Sequence, residues 1–166
     1  YRANVNTRWR SKKVDGLSYG VNFNQNTAHG NLYFLWQNAD SVLIPQGLVD
    51  TATTTLSGYT TYRTNFDPFI TYYDSLGNRH NLKTRFYRTN NKNNTNQEAK
   101  ADVYFAEYQF QRQWDSKLTL TSGITLMRTN VQAQLYGDHY SNNAAIFAQA
   151  DKKWTRLNLT AGMRLE

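Results

Sequence analysis

The sequence predicts an all-β chain, an antiparallel meander of about ten strands forming part of the wall of a transmembrane β-barrel. Three observations predict it. Apolar and polar residues alternate with period two along most of the 166 residues. The alternating runs in the C-terminal third are around ten residues long, the length that crosses a hydrocarbon layer at a slant. The links between runs alternate between tight and long, as they do in barrels whose two ends face different compartments. The alternation is clearest from Gln111 to Glu166. There Leu118, Leu120, Ser122, Ile124 and Leu126 oppose Thr119, Thr121, Gly123 and Thr125, and Ala144, Ile146, Ala148 and Ala150 oppose Asn143, Gln149 and Asp151. Leu157, Leu159, Ala161, Met163 and Leu165 then oppose Asn158, Thr160, Gly162, Arg164 and Glu166. Successive strand side chains point to opposite faces, so each run has an apolar and a polar side.

The first strand, residues 2–11, alternates Arg2, Asn4, Asn6, Arg8 and Arg10 with Ala3, Val5, Thr7 and Trp9, and residues 12–16 supply a tight reversal through Asp15 and Gly16. Residues 17–26 place Leu17, Tyr19, Val21 and Phe23 on one face. A short link at Thr27, Ala28, His29 and Gly30 predicts a hairpin into a third strand over residues 31–38, with Leu32, Phe34 and Trp36 on one face. Residues 41–44 suit a short strand, and Pro45, Gly47 and the threonine run at residues 51–55 suit a loop. Tyr62, Phe66, Pro68, Ile70 and Tyr72 then oppose Arg63, Asn65, Asp67 and Thr71, with a bulge or bend expected at Pro68, which lacks a ladder donor.

Asp74, Ser75, Leu76, Gly77 and Asn78 form a turn with positive φ expected at Gly77. Leu82, Thr84 and Phe86 alternate with Asn81, Lys83, Arg85 and Tyr87 in the next strand. Residues 90–97 hold no apolar residue and are expected as a solvent loop. Tyr104, Ala106, Tyr108 and Phe110 then oppose Val103, Phe105, Glu107, Gln109 and Gln111, before a turn at Trp114, Asp115 and Ser116. On this count the links at residues 74–78, 113–116 and 153–156 are tight and those at 46–59, 90–98 and 132–142 are long. The parity places Trp9, Trp36, Trp114 and Trp154 near the tight-turn end, as a girdle at a membrane–water interface would be.

Composition fits the same reading. A mean hydropathy of −0.76 leaves no run of about twenty apolar residues for a membrane helix, yet it is compatible with strands whose inner half is polar. The absence of cysteine removes disulfides, thiolate zinc sites and thiol catalysis. A net charge of +7 raises nucleic acid as a partner, but the basic residues are spread over the whole length, and no nucleic-acid partner is expected. His29, His80 and His139 lack a second ligand at metal-binding spacing, Glu107 and Asp151 are single carboxylates, and Ser18, Ser122 and Ser141 lie in no nucleophile context. No enzymatic activity, cofactor or metal is expected. The polar face is the informative one. Arg63, Lys83, Arg85, Glu107, Gln109, Gln111 and Arg164 are the candidate residues lining a wet lumen, joined by Arg2, Arg8, Arg10, Asn22 and Asn24.

Residues 147–166, FAQADKKWTRLNLTAGMRLE, carry a hairpin that resembles one recurrent in TonB-dependent outer-membrane receptors: an apolar-Ala-Gln-Asp strand end, a turn, then Leu-x-Leu-x-x-Gly-x-Arg-x-Glu. LKTRFYRTNNKNNTNQ at residues 82–97 and YFAEYQFQRQWDSKLTLTSG at residues 104–123 are similar to the middle of the barrel in Bacteroidetes-type members. The resemblance implies a 22-stranded barrel closed by a plug domain, uptake of a scarce nutrient, energy delivered by TonB, and residence in the outer membrane of a Gram-negative bacterium. Its implied partners are outer-membrane lipid, the plug of the same chain, TonB, and a small-molecule or oligomeric nutrient. Because alternation is under way at Tyr1 and still running at Glu166, residues 1–166 are expected to be one barrel segment of a larger chain, with plug and remaining strands outside it. Two other readings accommodate the pattern: a small closed outer-membrane barrel acting as pore or adhesin, and a soluble all-β binding module with its apolar faces packed together.

Overall fold

In the computed structural model, which describes residues 1–33, 35–40, 44–47, 53–114 and 117–166, the chain forms an antiparallel sheet of eight strands whose spatial order is the chain order. They are β1 (Arg2–Arg10), β2 (Leu17–Leu32), β3 (Ser57–Tyr73), β4 (Arg79–Asn93), β5 (Ala99–Trp114), β6 (Leu118–Ala133), β7 (Gly137–Lys153) and β8 (Asn158–Leu165). The sheet is not closed: β1 and β8 each pair on one side only.

Register sorts the side chains into two faces. Trp9, Tyr19, Ile70, Leu82, Tyr108, Ile124, Ile146 and Leu165 are successive cross-strand partners and define an apolar row. The residue before or after each of them belongs to the other face. There Arg8, Gly20, Phe69, Lys83, Glu107, Thr125 and Ala145 form the matching row. Burial is inverted relative to a water-soluble sheet. Every buried strand side chain, namely Ser18, Thr61, Thr71, Asn81, Thr121, Thr125 and Ala145, lies on the polar face. The large exposed hydrophobics lie mainly on the apolar face, from Val5 at 55% to Met163 at 66%. A single sheet crowds the side chains of the face toward which it curls, so the polar face is the concave one.

Turn chemistry sets the strand ends at one edge. Gly77 adopts φ 75°, and Oδ1 of Asp74 accepts hydrogen bonds from the amides of Leu76 and Asn78 at 2.9 Å each, closing the β3–β4 turn. Three strand glycines, Gly20, Gly30 and Gly123, face aromatic rings of the neighbouring strand. A Cβ on Gly123 would lie 2.5 Å from the ring of Phe147, and one on Gly20 would lie 2.6 Å from the ring of Phe69. These rings lie across the neighbouring strand only because no side chain occupies that place.

Several expectations are corrected. Among the described residues eight strands replace about ten. β2 does not turn at Gly30 but continues to Leu32, pairing with β3 throughout, so the hairpin into a strand over residues 31–38 does not form. Trp36 instead makes an isolated bridge to Pro45 in the link of residues 33–56, at the opposite end of the sheet from Trp9, Trp114 and Trp154. The expected strand over residues 41–44 and the turn at Asp115 and Ser116 fall largely outside the described residues. Two links expected to be long are short, residues 94–98 and 134–136, because β4, β5, β6 and β7 continue pairing through polar sequence. Asn90 pairs with Lys100, and Gln132 pairs with Asp138. Once a hairpin is formed, each further pair closes no new loop, so Asn, Thr and Lys suffice to extend it. Pro68 introduces no bulge. The β3–β4 ladder lapses at Asp67 and Pro68 and resumes in unchanged register at Phe69, while the hydroxyl of Thr84 donates to the Pro68 carbonyl at 3.1 Å.

Candidate functional site

The concave face gathers the groups with chemistry. Arg63, Lys83, Arg85, Glu107, Gln109, Gln111 and Arg164 all lie on it, as the alternation predicts, but they are not one cluster. β4 and β5 bring five of them together: Lys83 is the register partner of Glu107, Asn81 of Gln109, and Arg79 of Gln111, with Arg85 next above Lys83. Arg63 stands apart, opposite Asn26 and Thr89, and Arg164 lies on the edge strand opposite Phe147.

Of this group Lys83 and Arg85, together with Arg79 and Asn81, border a concavity of about 630 Å3, which Arg8 and Asn22 reach from the β1–β2 side and Phe69 and Phe105 flank with rings, whereas Glu107, Gln109 and Gln111 lie outside its lining. A hydrogen-bonded chain crosses its floor. The guanidinium of Arg8 donates to the Ser18 hydroxyl at 3.2 Å, that hydroxyl donates to the Thr71 carbonyl at 3.5 Å, and the Thr71 hydroxyl donates to Oδ1 of Asn81 at 3.0 Å. Arg85 grips Asp67 through two bonds, of 2.8 and 2.7 Å, a bidentate geometry that occupies both partners. No ion pair joins Lys83 to Glu107 among the described residues, and Nε of Arg79 is buried without a hydrogen-bond partner. The concavity thus presents fixed donors and net positive charge.

Sequence reasoning missed Arg79, Phe69 and Phe105 as members of this group. The signal for Arg79 was present: it continues the odd-numbered series Asn81, Lys83, Arg85 by one step, but it adjoins a turn. The histidines are used locally. His80 bonds the Tyr108 hydroxyl at 2.8 Å, His29 bonds the Thr60 hydroxyl at 2.9 Å, and His139 bonds the Tyr136 carbonyl at 2.8 Å. Among the described residues no three His, Asp or Glu side chains converge in a way that would hold a metal.

The convex face carries the girdle candidates. Trp9, Trp114 and Trp154 lie on its side at the same end of the sheet, whereas Trp36 does not. The row of Trp9 reaches β5 at Tyr108 and β7 at Ile146, six residues before Trp114 and eight before Trp154. At about 3.4 Å per residue and 4.8 Å per strand spacing, the line from Trp9 to Trp154 rises about 27 Å across about 29 Å. A level joining these indoles therefore crosses strands inclined by about 43°. At that level the Arg112 guanidinium lies 4.8 Å from the Trp114 ring and the Lys152 ammonium 5.9 Å from that of Trp154.

No protein-family model, curated protein or solved structure matches this chain.

Proposed function

We propose that the chain is part of the wall of a bacterial outer-membrane β-barrel, and that this barrel is a transporter of the TonB-dependent type taking up a nutrient through a polar lumen. The observation that carries the membrane reading is the inverted burial: a concave face of Arg, Asn, Gln and Thr, and a convex face of exposed Leu, Ile, Phe, Tyr and Trp. In water such a convex face is costly. Eight strands wide and nine residues of slanted β6 long, it covers on the order of 1,000 Å2, above the few hundred that soluble monomers leave exposed. Against hydrocarbon the same face stabilises, and its height of roughly 20–25 Å equals an outer-membrane apolar band. The inclination read from the three indoles falls within the 35–45° of membrane barrels. Cations stacked on two of those indoles suit a headgroup zone.

The TonB-dependent assignment rests on the resemblance of residues 147–166, 82–97 and 104–123 to that family's barrel. The eight strands also match the smallest outer-membrane barrels, but that reading requires β1 to pair with β8, and the two are not joined. Two experiments test the proposal. With the full-length protein in vesicles of brominated phospholipid, Trp9, Trp114 and Trp154 in single-tryptophan variants are quenched alike and Trp36 is not. Equal quenching of all four, or of none, overturns the wall. In cells, uptake that persists at its full rate after TonB is removed overturns the energy-coupled assignment while leaving the wall intact.

A further inference from the structure

We infer that the concavity bounded by β1 and β5 on the polar face binds an anionic group, a carboxylate or phosphate borne by the solute, with Arg8, Arg79 and Lys83 as its counter-charges. The inference rests on the polar face being the solute-facing side. Charge bookkeeping comes first. Register places Arg8, Arg10, Arg79, Lys83 and Arg85 within neighbouring rows of β1 and β4, against the acids Asp67 and Glu107. Asp67 is fully engaged by Arg85 through both carboxylate oxygens. Glu107, although the register partner of Lys83, forms no ion pair with it, and among the described residues Arg8, Arg79 and Lys83 have no carboxylate partner. Four cations line the hollow against one acid, Asp67, so it is left with net positive charge.

The second observation is independent of charge. Nε of Arg79 is buried yet donates to nothing, and buried guanidinium N–H groups are ordinarily hydrogen-bonded. No acceptor among the described residues holds this guanidinium, which leaves its outer nitrogens, not the buried Nε, to an oxygen anion seated in the concavity. A planar guanidinium from Arg79 and a point charge from Lys83 is a pairing that recognises carboxylate or phosphate by geometry and by charge.

The third observation is shape. A volume of about 630 Å3 lies within the range of small-molecule sites. The rings of Phe69 and Phe105 beside the cations and the amides of Asn22 and Asn81 describe a solute with an apolar or cyclic body, hydrogen-bonding substituents and an acidic group. A neutral solute leaves the three cations uncompensated.

The test uses the full-length protein in detergent micelles, titrated calorimetrically with citrate and, separately, with inorganic phosphate at low ionic strength. Saturable binding of at least one anion is expected, weakened at least tenfold by Lys83→Gln and by Arg79→Gln and by raising salt to physiological strength, where surface attraction is screened. Arg63→Gln, on the same face but in a distant row, is expected to change affinity less than twofold. Glu107→Gln, which removes the nearest unengaged carboxylate, is expected to tighten binding two- to threefold. Lys83 is exposed, so its neutral substitution leaves packing untouched. Wild-type affinity in both Lys83→Gln and Arg79→Gln overturns the inference, as does an equal loss in Arg63→Gln, which marks a diffuse basic field. Absence of saturable binding, the result if an acidic side chain elsewhere in the protein already fills the place, also overturns it. Tryptophan quenching by brominated lipid in the same variants separates the two failures: quenching retained with binding lost refutes the anion site alone.

Discussion

Replacing Ser122 by arginine puts the two-solvent argument at risk most directly. Ser122 lies midway along the apolar stripe of β6, between Leu118 and Leu126, with Phe110 and Ala148 as its register partners. Its small side chain contributes little packing, so the substitution adds charge without removing a large hydrophobe. At the midplane of a bilayer an arginine on the lipid face of a barrel costs about 2–4 kcal/mol, and near the interface about 0–1 kcal/mol. Leu118, whose partner Lys152 already carries charge at the tryptophan level, is the interfacial comparison. Gln149, partner of Thr121 and one step along the ladder from Ser122 and Ala148, is the comparison at equal depth on the other face. Ser122→Arg is therefore expected to lower the folding equilibrium constant by roughly 30- to 1,000-fold. Leu118→Arg is expected to cost about 1 kcal/mol or less, and Gln149→Arg to stay within about 0.5 kcal/mol of the parent. Guanidinium unfolding of the full-length protein from phospholipid vesicles, followed by tryptophan fluorescence, reads all three. At a slope of about 4 kcal/mol per molar, the Ser122→Arg midpoint falls by about 0.5–1 M. A Ser122→Arg midpoint equal to the parent, or a Gln149→Arg loss as large as that of Ser122→Arg, refutes the reasoning.

Gly123→Ala places a methyl group against the Tyr108 carbonyl and the Phe147 ring, and the backbone side of that clash cannot rotate away. It is expected to cost about 1–3 kcal/mol in the same unfolding assay, whereas Gly162→Ala, whose nearest neighbour stands at 3.3 Å, costs markedly less. Asp74 at the β3–β4 turn has its carboxyl pKa held below 3.8, first by the Asn78 side chain and then by the Asn78 and Leu76 amides. A depressed carboxyl pKa stabilises the turn at pH above the unfolded value, and that contribution disappears as pH falls through the folded one. Protection of the Leu76 and Asn78 amides, taken relative to their intrinsic exchange rates, is expected to be lost as pH falls below the ordinary carboxylate range and to be absent at neutral pH in Asp74→Ala; unchanged protection in that variant removes the carboxylate from the turn's support.

What the chain made legible was its two-sidedness. From Tyr62 to Tyr72, Leu82 to Phe86 and Leu118 to Leu126 the face of each residue follows from period two alone, because a one-residue slip would exchange the faces. Strand ends were less legible wherever composition and pairing disagree. Residues 27–30 have the look of a link, yet Gly30 lies within β2 beneath the ring of its partner Tyr59, a use of glycine that appears only when the neighbouring strand is known. Asn90 to Asn93 have the composition of a loop but belong to a ladder begun by Phe86 and Tyr104. The misplacement of Trp36 follows from the same error, since ending β2 early sent the chain back one strand too soon. The site was legible as a face but not as a cluster. Nothing in the linear order reveals that Arg8 and Lys83 border one hollow, or that Asp67 is already claimed by Arg85.

Since each strand lies beside its neighbours in the chain, every ladder closes over a short stretch, except where residues 33–56 separate β2 from β3. Closure entropy grows only logarithmically, so bringing β3 to β2 across that stretch costs about 1.4 kcal/mol more than closing a gap the size of residues 94–98. Assembly can therefore advance strand by strand as a zipper, with a brief pause at that one joint. The same slow growth makes this joint the position where evolution or an engineer can lengthen the chain, by an epitope or a whole inserted module, with little effect on the sheet's stability.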